Sequence, residues 1–155
     1  VDKRIDVFAT ALKMGADVDD LAEMELAYAP PFGSAKDPVN FAGMIAQNIR
    51  AGLGELAHWD EVDVADPDWQ VVLDVREPAE REKSLIPGSM HIPLGQLREK
   101  LTELPKEKEI IVHCASGQRS NTAMRILRQK GFKARNLTGS MKTWEMAKKG
   151  LPSKD

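Results

Sequence analysis

The chain has 155 residues, 42% of them hydrophobic and 30% charged, and its net charge is -2. That length suits one ordinary domain with an additional segment, and the near-neutral charge argues against nucleic acid or a membrane surface as partner. No apolar run is long enough to span a membrane, and the single cysteine excludes an internal disulfide and favours a reducing compartment, the cytoplasm.

The first fifty residues predict helices that cannot bury their own apolar faces. Apolar side chains recur at helical spacing over residues 5–12, and a second helix is expected to start near Asp19 or Asp20 and to reach Leu26. A third helix is predicted over residues 38–51, after a loop rich in proline. So short a segment is too small to be stable alone, so we expect it to pack against a partner.

This segment also resembles a known family. Residues 2–11 and residues 25–40, the latter with the run Ala-Tyr-Ala-Pro-Pro-Phe-Gly-Ser, are similar to the end of the dimerisation domain of CoA-disulfide reductases and related NADH oxidases. The resemblance covers residues 1–52. It implies a homodimer interface, in which Tyr28 reaches toward the flavin and redox cysteine of the partner subunit.

The remainder of that flavoenzyme family has no counterpart in this sequence. The flavin domain, the nicotinamide domain and the redox cysteine are absent, and no Gly-x-Gly-x-x-Gly motif occurs. We therefore expect no cofactor in this chain, and FAD and NAD(P)H in the missing part of the parent enzyme. The chain begins with Val1 and no apolar stretch follows, so we expect a piece of a longer protein without a signal peptide.

Residues 53–57 are predicted to be a linker, and residues 58–155 a second domain. Its strands alternate with helices, which predicts an α/β fold with a small parallel sheet and helices on both faces. Predicted strands cover residues 71–75, a short stretch before Pro93, residues 110–112 and residues 132–137. The predicted helices cover residues 96–104, the stretch after the loop at Cys114 and the stretch after Thr138.

Three polar side chains are expected at one edge of this sheet. Asp74, Arg76 and Cys114 all fall at the carboxyl ends of predicted strands, where α/β proteins bind ligands. Asp74 lies within an apolar strand, so we interpret it as an anchor that accepts loop N–H groups, with a direct catalytic role as the alternative. Arg76 is expected either to hold an anionic substrate or to pair with an acid such as Glu77.

Cys114 is the candidate nucleophile. It ends a predicted strand, and the start of the next helix directs its free N–H groups and positive dipole back toward the thiol. Together with the charge of Arg119, this arrangement is expected to lower the pKa of the thiol. The alternative is a buried, inert cysteine, and no spacing of Cys114 with the histidines predicts a metal site.

The second domain resembles the rhodanese family of sulfurtransferases over residues 56–155. The resemblance rests on four motifs in order: residues 73–77, 86–94, 114–120 and 137–140 followed by Trp144. Only four residues separate Cys114 from Arg119. The resemblance implies that this short loop favours sulfur transfer over the phosphatase or arsenate reductase alternatives on the same scaffold, since the phosphatases have five intervening residues. A non-catalytic regulatory module is the other alternative, and the presence of both Cys114 and Arg119 argues against it.

The resemblance implies a reaction and a set of partners. Cys114 would take the outer sulfur of CoA persulfide, polysulfide or thiosulfate and pass it to a thiol or to the reductase part of the parent enzyme. Arg119 would steady the loop or the anionic donor. The loop that binds the persulfide is predicted to contain four further residues, namely Ala115, Ser116, Gly117 and Gln118.

Overall fold

The structure is a computed structural model that describes residues 2–150, apart from the side chain of Asp2. It consists of two compact units, divided between Leu53 and Gly54, which we call the helical unit and the sheet unit. Predictions that fall on Val1 and on residues 151–155 lie outside the described residues. No helix within the described range is both long enough and apolar enough to cross a membrane.

The helical unit contains three helices, α1 (Asp2–Met14), α2 (Val18–Glu23) and α3 (Pro38–Arg50). Helix α2 begins one residue before Asp19, close to the predicted start, whereas its predicted end was wrong. Its N-cap is Asp17, whose side chain accepts the N–H groups of Asp19 and Asp20, so the helix begins before either of them. It ends at Glu23 rather than Leu26, because the backbone of Met24 is already extended.

Helices α2 and α3 pack closely through a small residue and a polar one. A side chain at Gly43 would overlap the backbone of Ala22, so only glycine allows this approach. The buried side chain of Asn40 donates to the carbonyls of Leu21, at 3.2 Å, and Met24, at 2.8 Å. Asn40 thereby satisfies carbonyl groups that the short helix α2 leaves unpaired at its end.

The opposite face of α3 is apolar and exposed. Phe41 and Ile45 are each 52% exposed, and Ile49 is 43% exposed, whereas Val39 on the packed face is fully buried. The predicted apolar stripe of this helix therefore lies outside the contacts that hold the helical unit together.

The sheet unit contains one sheet in which every pairing is parallel, as predicted. The strands are β1 (Leu56–Ala57), β2 (Gln70–Asp74), β3 (Met90–His91), β4 (Glu109–His113) and β5 (Lys133–Leu137). Their spatial order is β1-β5-β4-β2-β3, so β4 lies in the middle. Strand β1 lies within the stretch predicted as a linker, where it pairs with β5.

Helices cover both faces of this sheet, which confirms the predicted architecture. Alternate residues of β4 point to opposite sides: Ile110 and Val112 pack with α5 (Gln118–Gln129), whereas Ile111 packs with Met141 of α6 (Ser140–Gly150). A short helix, α4 (Pro78–Arg81), follows β2 and was not predicted.

The helix predicted over residues 96–104 was wrong. The chain forms two separate 3₁₀ turns there, Leu94–Gln96 and Leu101–Glu103. Leu97 and Leu104 are both buried in the core, at 0% and 5% exposure. Since the residues of this segment suit a helix, the tertiary packing of the leucines outweighs the local preference.

Candidate active site at the end of the central strand

Cys114 lies at the carboxyl end of the central strand, where its side chain is 1% exposed. The chain then turns sharply at Gly117, whose φ of 113° lies in the region that favours glycine. Helix α5 begins at the next residue, so its first N–H groups return toward the cysteine.

Several donors converge on the sulfur of Cys114. The N–H of Gly117 donates to Sγ at 3.1 Å, and the hydroxyl of Ser120 lies 3.4 Å from it. Burial raises the pKa of Cys114, but these donors and the N–H groups of Ser116 and Ser120 outweigh it and lower the pKa to about 7. Cys114 thus belongs to the apolar core and still has a lowered pKa, because hydrogen-bond donors reach its sulfur.

The first residues of α6 support the loop after Cys114 through hydrogen bonds to its backbone carbonyls. The N–H groups of Met141 and Lys142 donate to the carbonyls of Cys114 and Ala115, each at 3.1 Å. The amide of Asn136 donates to the carbonyl of Gly117 at 3.3 Å. These bonds fix the carbonyls on one side of the loop, which leaves its N–H groups directed toward the sulfur.

Arg119 is held by an acidic partner that the sequence did not identify. Its two terminal nitrogens each lie 2.7 Å from an oxygen of Glu80, which is near the end of α4. The bonds from Arg119 lower the pKa of Glu80 to about 2, and Glu80 in turn raises the pKa of Arg119. The pair is partly exposed, and its two charges offset each other at the rim of the loop.

Arg76 pairs with Asp74 rather than with Glu77. Its Nε and Nη2 atoms donate to the carboxylate of Asp74, the shortest bond being 2.7 Å, and Nη2 also donates to the carbonyl of Ser84. The backbone N–H of Arg76 donates to Asp74 as well, at 3.0 Å. Arg76 is 3% exposed, so its guanidinium group faces the protein interior instead of projecting from the rim.

Asp74 is a buried, charged anchor in this geometry. Burial raises its pKa, but the hydrogen bonds and the positive charge of Arg76 leave the pKa below its usual value. Its carboxylate accepts the N–H of the following loop, which is the contact that its place in an apolar strand predicted.

His113 precedes Cys114 and lies on the other face of β4. Its ring is fully buried, and neither ring nitrogen has a hydrogen-bond partner. Burial lowers the pKa of His113 to about 4 despite the carboxylate of Asp74 at 3.8 Å. The imidazole is therefore neutral at pH 7, and its contact with Asp74 is not an ion pair.

The other predicted site residues are distributed over both units. Ala115 is half-buried in the loop, whereas Ser116 and Gln118 are exposed. Tyr28 belongs to the helical unit, where it is 54% exposed beside a shallow cavity of about 140 Å³ that Arg4 and Phe32 also line. No group of three or more potential metal ligands occurs in the described part of the chain.

Three residues of this site were absent from the predicted set. Ser120 could have been found, since it lies one turn into the helix after the loop. Ser140 lies 26 positions beyond Cys114, yet its hydroxyl accepts the N–H of Cys114 at 3.2 Å. Glu80 carries no sequence signal, because its partner is 39 residues away and it lies in a helix that was not predicted.

Comparison with known proteins identifies the family to which the sheet unit belongs. The model of the Rhodanese-like domain family matches residues 57–147. A sulfurtransferase from Allochromatium vinosum is 33% identical over 90 residues, which represent 57% of this chain and 82% of that protein.

Two solved structures match across both units. The reduced CoADR-RHD of Bacillus anthracis has a TM-score of 0.86 and 45% identity, and an NAD-dependent persulfide reductase from A. fulgidus has a TM-score of 0.76 and 46% identity. Each match covers 93% of this chain but only 26% of the other. The chain thus spans about a quarter of the length of these two proteins.

Proposed function

The chain belongs to the Rhodanese-like domain family through residues 57–147, and on that basis we propose that Cys114 carries sulfur as a persulfide. The observation that supports this most directly is that two hydrogen-bond donors contact Sγ. These are the N–H of Gly117 at 3.1 Å and the hydroxyl of Ser120 at 3.4 Å. Such donors stabilise an anion at this position, whether a thiolate or the terminal sulfur of a persulfide.

The reaction proceeds in two displacements. The Cys114 thiolate attacks the outer sulfur of the donor, whose sulfur–sulfur bond breaks and whose remainder leaves with the electron pair. The thiolate of an acceptor then attacks the outer sulfur of the Cys114 persulfide and regenerates Cys114. No base is needed for the first step, because a thiol with a pKa of about 7 is substantially ionised at neutral pH.

We further propose that the donor is a small anionic sulfur compound, namely CoA persulfide, polysulfide or thiosulfate. The helical unit resembles the end of CoA-disulfide reductases, and one matching structure is that of an NAD-dependent persulfide reductase. The chain has no second cysteine to resolve a Cys114 persulfide, so the sulfur passes to a free thiol or to another part of the parent enzyme.

The parent enzyme, in this proposal, is a cytoplasmic homodimer that holds FAD and NAD(P)H in segments outside this chain. Support comes from the two structures that match both units and are about four times as long. The exposed apolar face of α3 is consistent with an interface of that kind. Tyr28 would then contribute to the active site of the partner subunit, as the resemblance implies.

Intact mass measurement tests the sulfur-transfer step. We expect the chain to gain the mass of one sulfur atom after incubation with thiosulfate, polysulfide or CoA persulfide, and to lose it on addition of a thiol. Cys114→Ser removes the only cysteine and should gain nothing. Thr122→Ala alters an exposed hydroxyl on α5 and should take up sulfur normally. Absence of sulfur gain with all three donors would contradict the proposal.

A further inference from the structure

Ser140 has an unusual backbone for its residue type. Among residues 2–150 it is the only residue other than glycine with a positive φ, which is 52°. A non-glycine residue in this region costs about 1–2 kcal/mol, so such a residue persists only where the surrounding structure requires it. Its side chain is nevertheless fully buried, and its hydroxyl lies beneath the loop of Cys114.

The hydroxyl groups of Ser140 and Ser120 form a connected pair beside the sulfur. Their oxygens are 3.2 Å apart, and they lie 3.9 Å and 3.4 Å from Sγ of Cys114. Each also has a carbonyl within reach: Leu137 at 3.2 Å for Ser140, and Gly117 at 3.1 Å for Ser120.

Each hydroxyl has only one proton to donate, so the charge of the sulfur decides where the two protons point. Beside a neutral thiol, Ser120 donates to the carbonyl of Gly117 and Ser140 to that of Leu137. Beside a thiolate, the 3.4 Å separation allows Ser120 to donate its proton to Sγ, and the 3.2 Å separation allows Ser140 to donate to the oxygen of Ser120. In this arrangement Ser120 accepts a hydrogen bond from Ser140 while it donates one to Sγ. Both hydrogen bonds are stronger when the sulfur is negatively charged.

We propose that Ser140 is a positioning residue for Cys114, which orients the hydroxyl of Ser120 toward the thiolate and fixes the backbone N–H of Cys114. The inference deepens the proposed sulfur transfer, since it explains how the nucleophile is prepared. It concerns the thiolate before any donor binds, so it is tested without a sulfur donor.

Two substitutions at the same position separate the hydroxyl from the backbone. Ser140→Ala removes the hydroxyl and keeps a residue that is strained at positive φ, whereas Ser140→Gly removes the hydroxyl and relieves the strain. The single cysteine lets thiolate absorbance and the rate of iodoacetamide alkylation, each followed against pH, report on Cys114 alone. The charged groups at the loop, Arg119 and Glu80, are unchanged in both variants.

We expect both variants to shift the alkylation profile to higher pH, with a rate at pH 7 about three- to tenfold below that of the unchanged chain. Ser140→Gly should unfold at the same or higher urea concentration than Ser140→Ala. Ser120→Ala should shift the profile in the same direction. The double variant Ser120→Ala with Ser140→Ala should show a shift smaller than the sum of the two single shifts, because the two hydroxyls act together. Thr122→Ala is the control with an exposed hydroxyl, and it should leave the profile unchanged.

The inference would be overturned if Ser140→Gly had the same alkylation profile as the unchanged chain. Ser140 would then contribute to the conformation of the turn but not to the ionisation of Cys114. The outcome is independent of sulfur uptake. A chain that takes sulfur from no donor, while Ser140→Gly still shifts the profile, would contradict the proposed function and leave the role of Ser140 intact.

Discussion

At the rim of the loop that follows Cys114, Glu80 offsets the positive charge of Arg119. The two side chains form a pair of 2.7 Å bonds, and the low pKa of Glu80 keeps it ionised throughout the neutral range. The charge of Arg119 is therefore offset by an adjacent carboxylate at this rim.

Neutralising Glu80 should consequently strengthen the binding of anionic donors. We expect Glu80→Gln to lower the KM for thiosulfate about two- to fivefold at low ionic strength, with a smaller effect in high salt. Glu82→Gln makes the same charge change at an exposed position and should alter KM less. Steady-state kinetics at two salt concentrations provide the measurement. An unchanged or higher KM for Glu80→Gln would show that Glu80 does not offset the charge of Arg119.

His113 should make the sheet unit sensitive to acid. Its pKa is about 4 in the folded chain, below the ordinary value of about 6.5 expected after unfolding. Between about pH 4 and about pH 6.5, His113 is therefore largely protonated in the unfolded chain but neutral in the folded chain. The free energy of unfolding consequently falls as pH decreases from about 6.5 to about 4. The total loss is roughly 3 kcal/mol.

Urea unfolding at several pH values checks this prediction. We expect His113→Gln, which cannot titrate, to show a shallower decline of the free energy of unfolding over that interval. His58→Gln replaces an exposed histidine and should retain the full decline. If the two variants have the same pH dependence, burial of His113 is not its source.

At the scale of elements, the junction between β5 and α6 depends on Gly139. Its φ is +66°, and a side chain there would overlap that of Thr143 one turn later in the helix. The start of α6 in turn supports the loop through the N–H groups of Met141 and Lys142. A disturbance at this junction should therefore affect both stability and the geometry of the thiol.

Three glycine-to-alanine substitutions separate backbone strain from steric overlap. Gly139→Ala combines both and should lower the free energy of unfolding by roughly 2–5 kcal/mol. Gly88→Ala places alanine at positive φ in open space and should cost about 1 kcal/mol, whereas Gly95→Ala has neither problem and should cost less than about 0.5 kcal/mol. Urea denaturation measures all three, and equal costs at positions 139 and 88 would show that Thr143 adjusts without penalty.

Elements whose signals are local were predictable from the sequence. The apolar run before Cys114, the glycine after it and the helical spacing beyond it all lie within one short stretch, so the strand, loop and helix could be inferred together. The turns over residues 94–103 could not, because the burial of Leu97 and Leu104 depends on the rest of the core. The contacts of Ser140 and Glu80 join residues 26 and 39 positions apart, and no spacing rule indicates such pairs.

At the scale of the whole molecule, the apolar core is concentrated in the sheet unit. Within residues 2–150, the two clusters of buried apolar side chains lie at residue 57 or beyond. The helical unit buries few apolar side chains, among them Ala22 and Val39, and exposes large ones such as Phe41 and Ile45. The two units should therefore differ in their capacity to fold alone.

We expect residues 54–155 to unfold cooperatively as a separate chain and to remain monomeric, because their core is complete without the helical unit. The full chain should self-associate through its exposed apolar side chains, and Ile45→Glu should weaken that association without changing the unfolding of the sheet unit. Sedimentation over a range of concentrations and thermal unfolding provide the measurements. A full chain that stays monomeric at every concentration, or an isolated sheet unit without a cooperative transition, would contradict this view.

The pairing of the first strand of the sheet with the last has a consequence for biosynthesis. Strand β1 lies at the edge of the sheet, and its partner among the described strands is β5, so Leu56 pairs with Asn136, which follows eighty positions later. During translation, β1 must wait until β5 has left the ribosome, while β2 and β4 are already able to pair. We therefore expect the stretch around Leu56 and Ala57 to join the sheet only after β5 has been synthesised, so that limited proteolysis of shorter nascent chains should cut there.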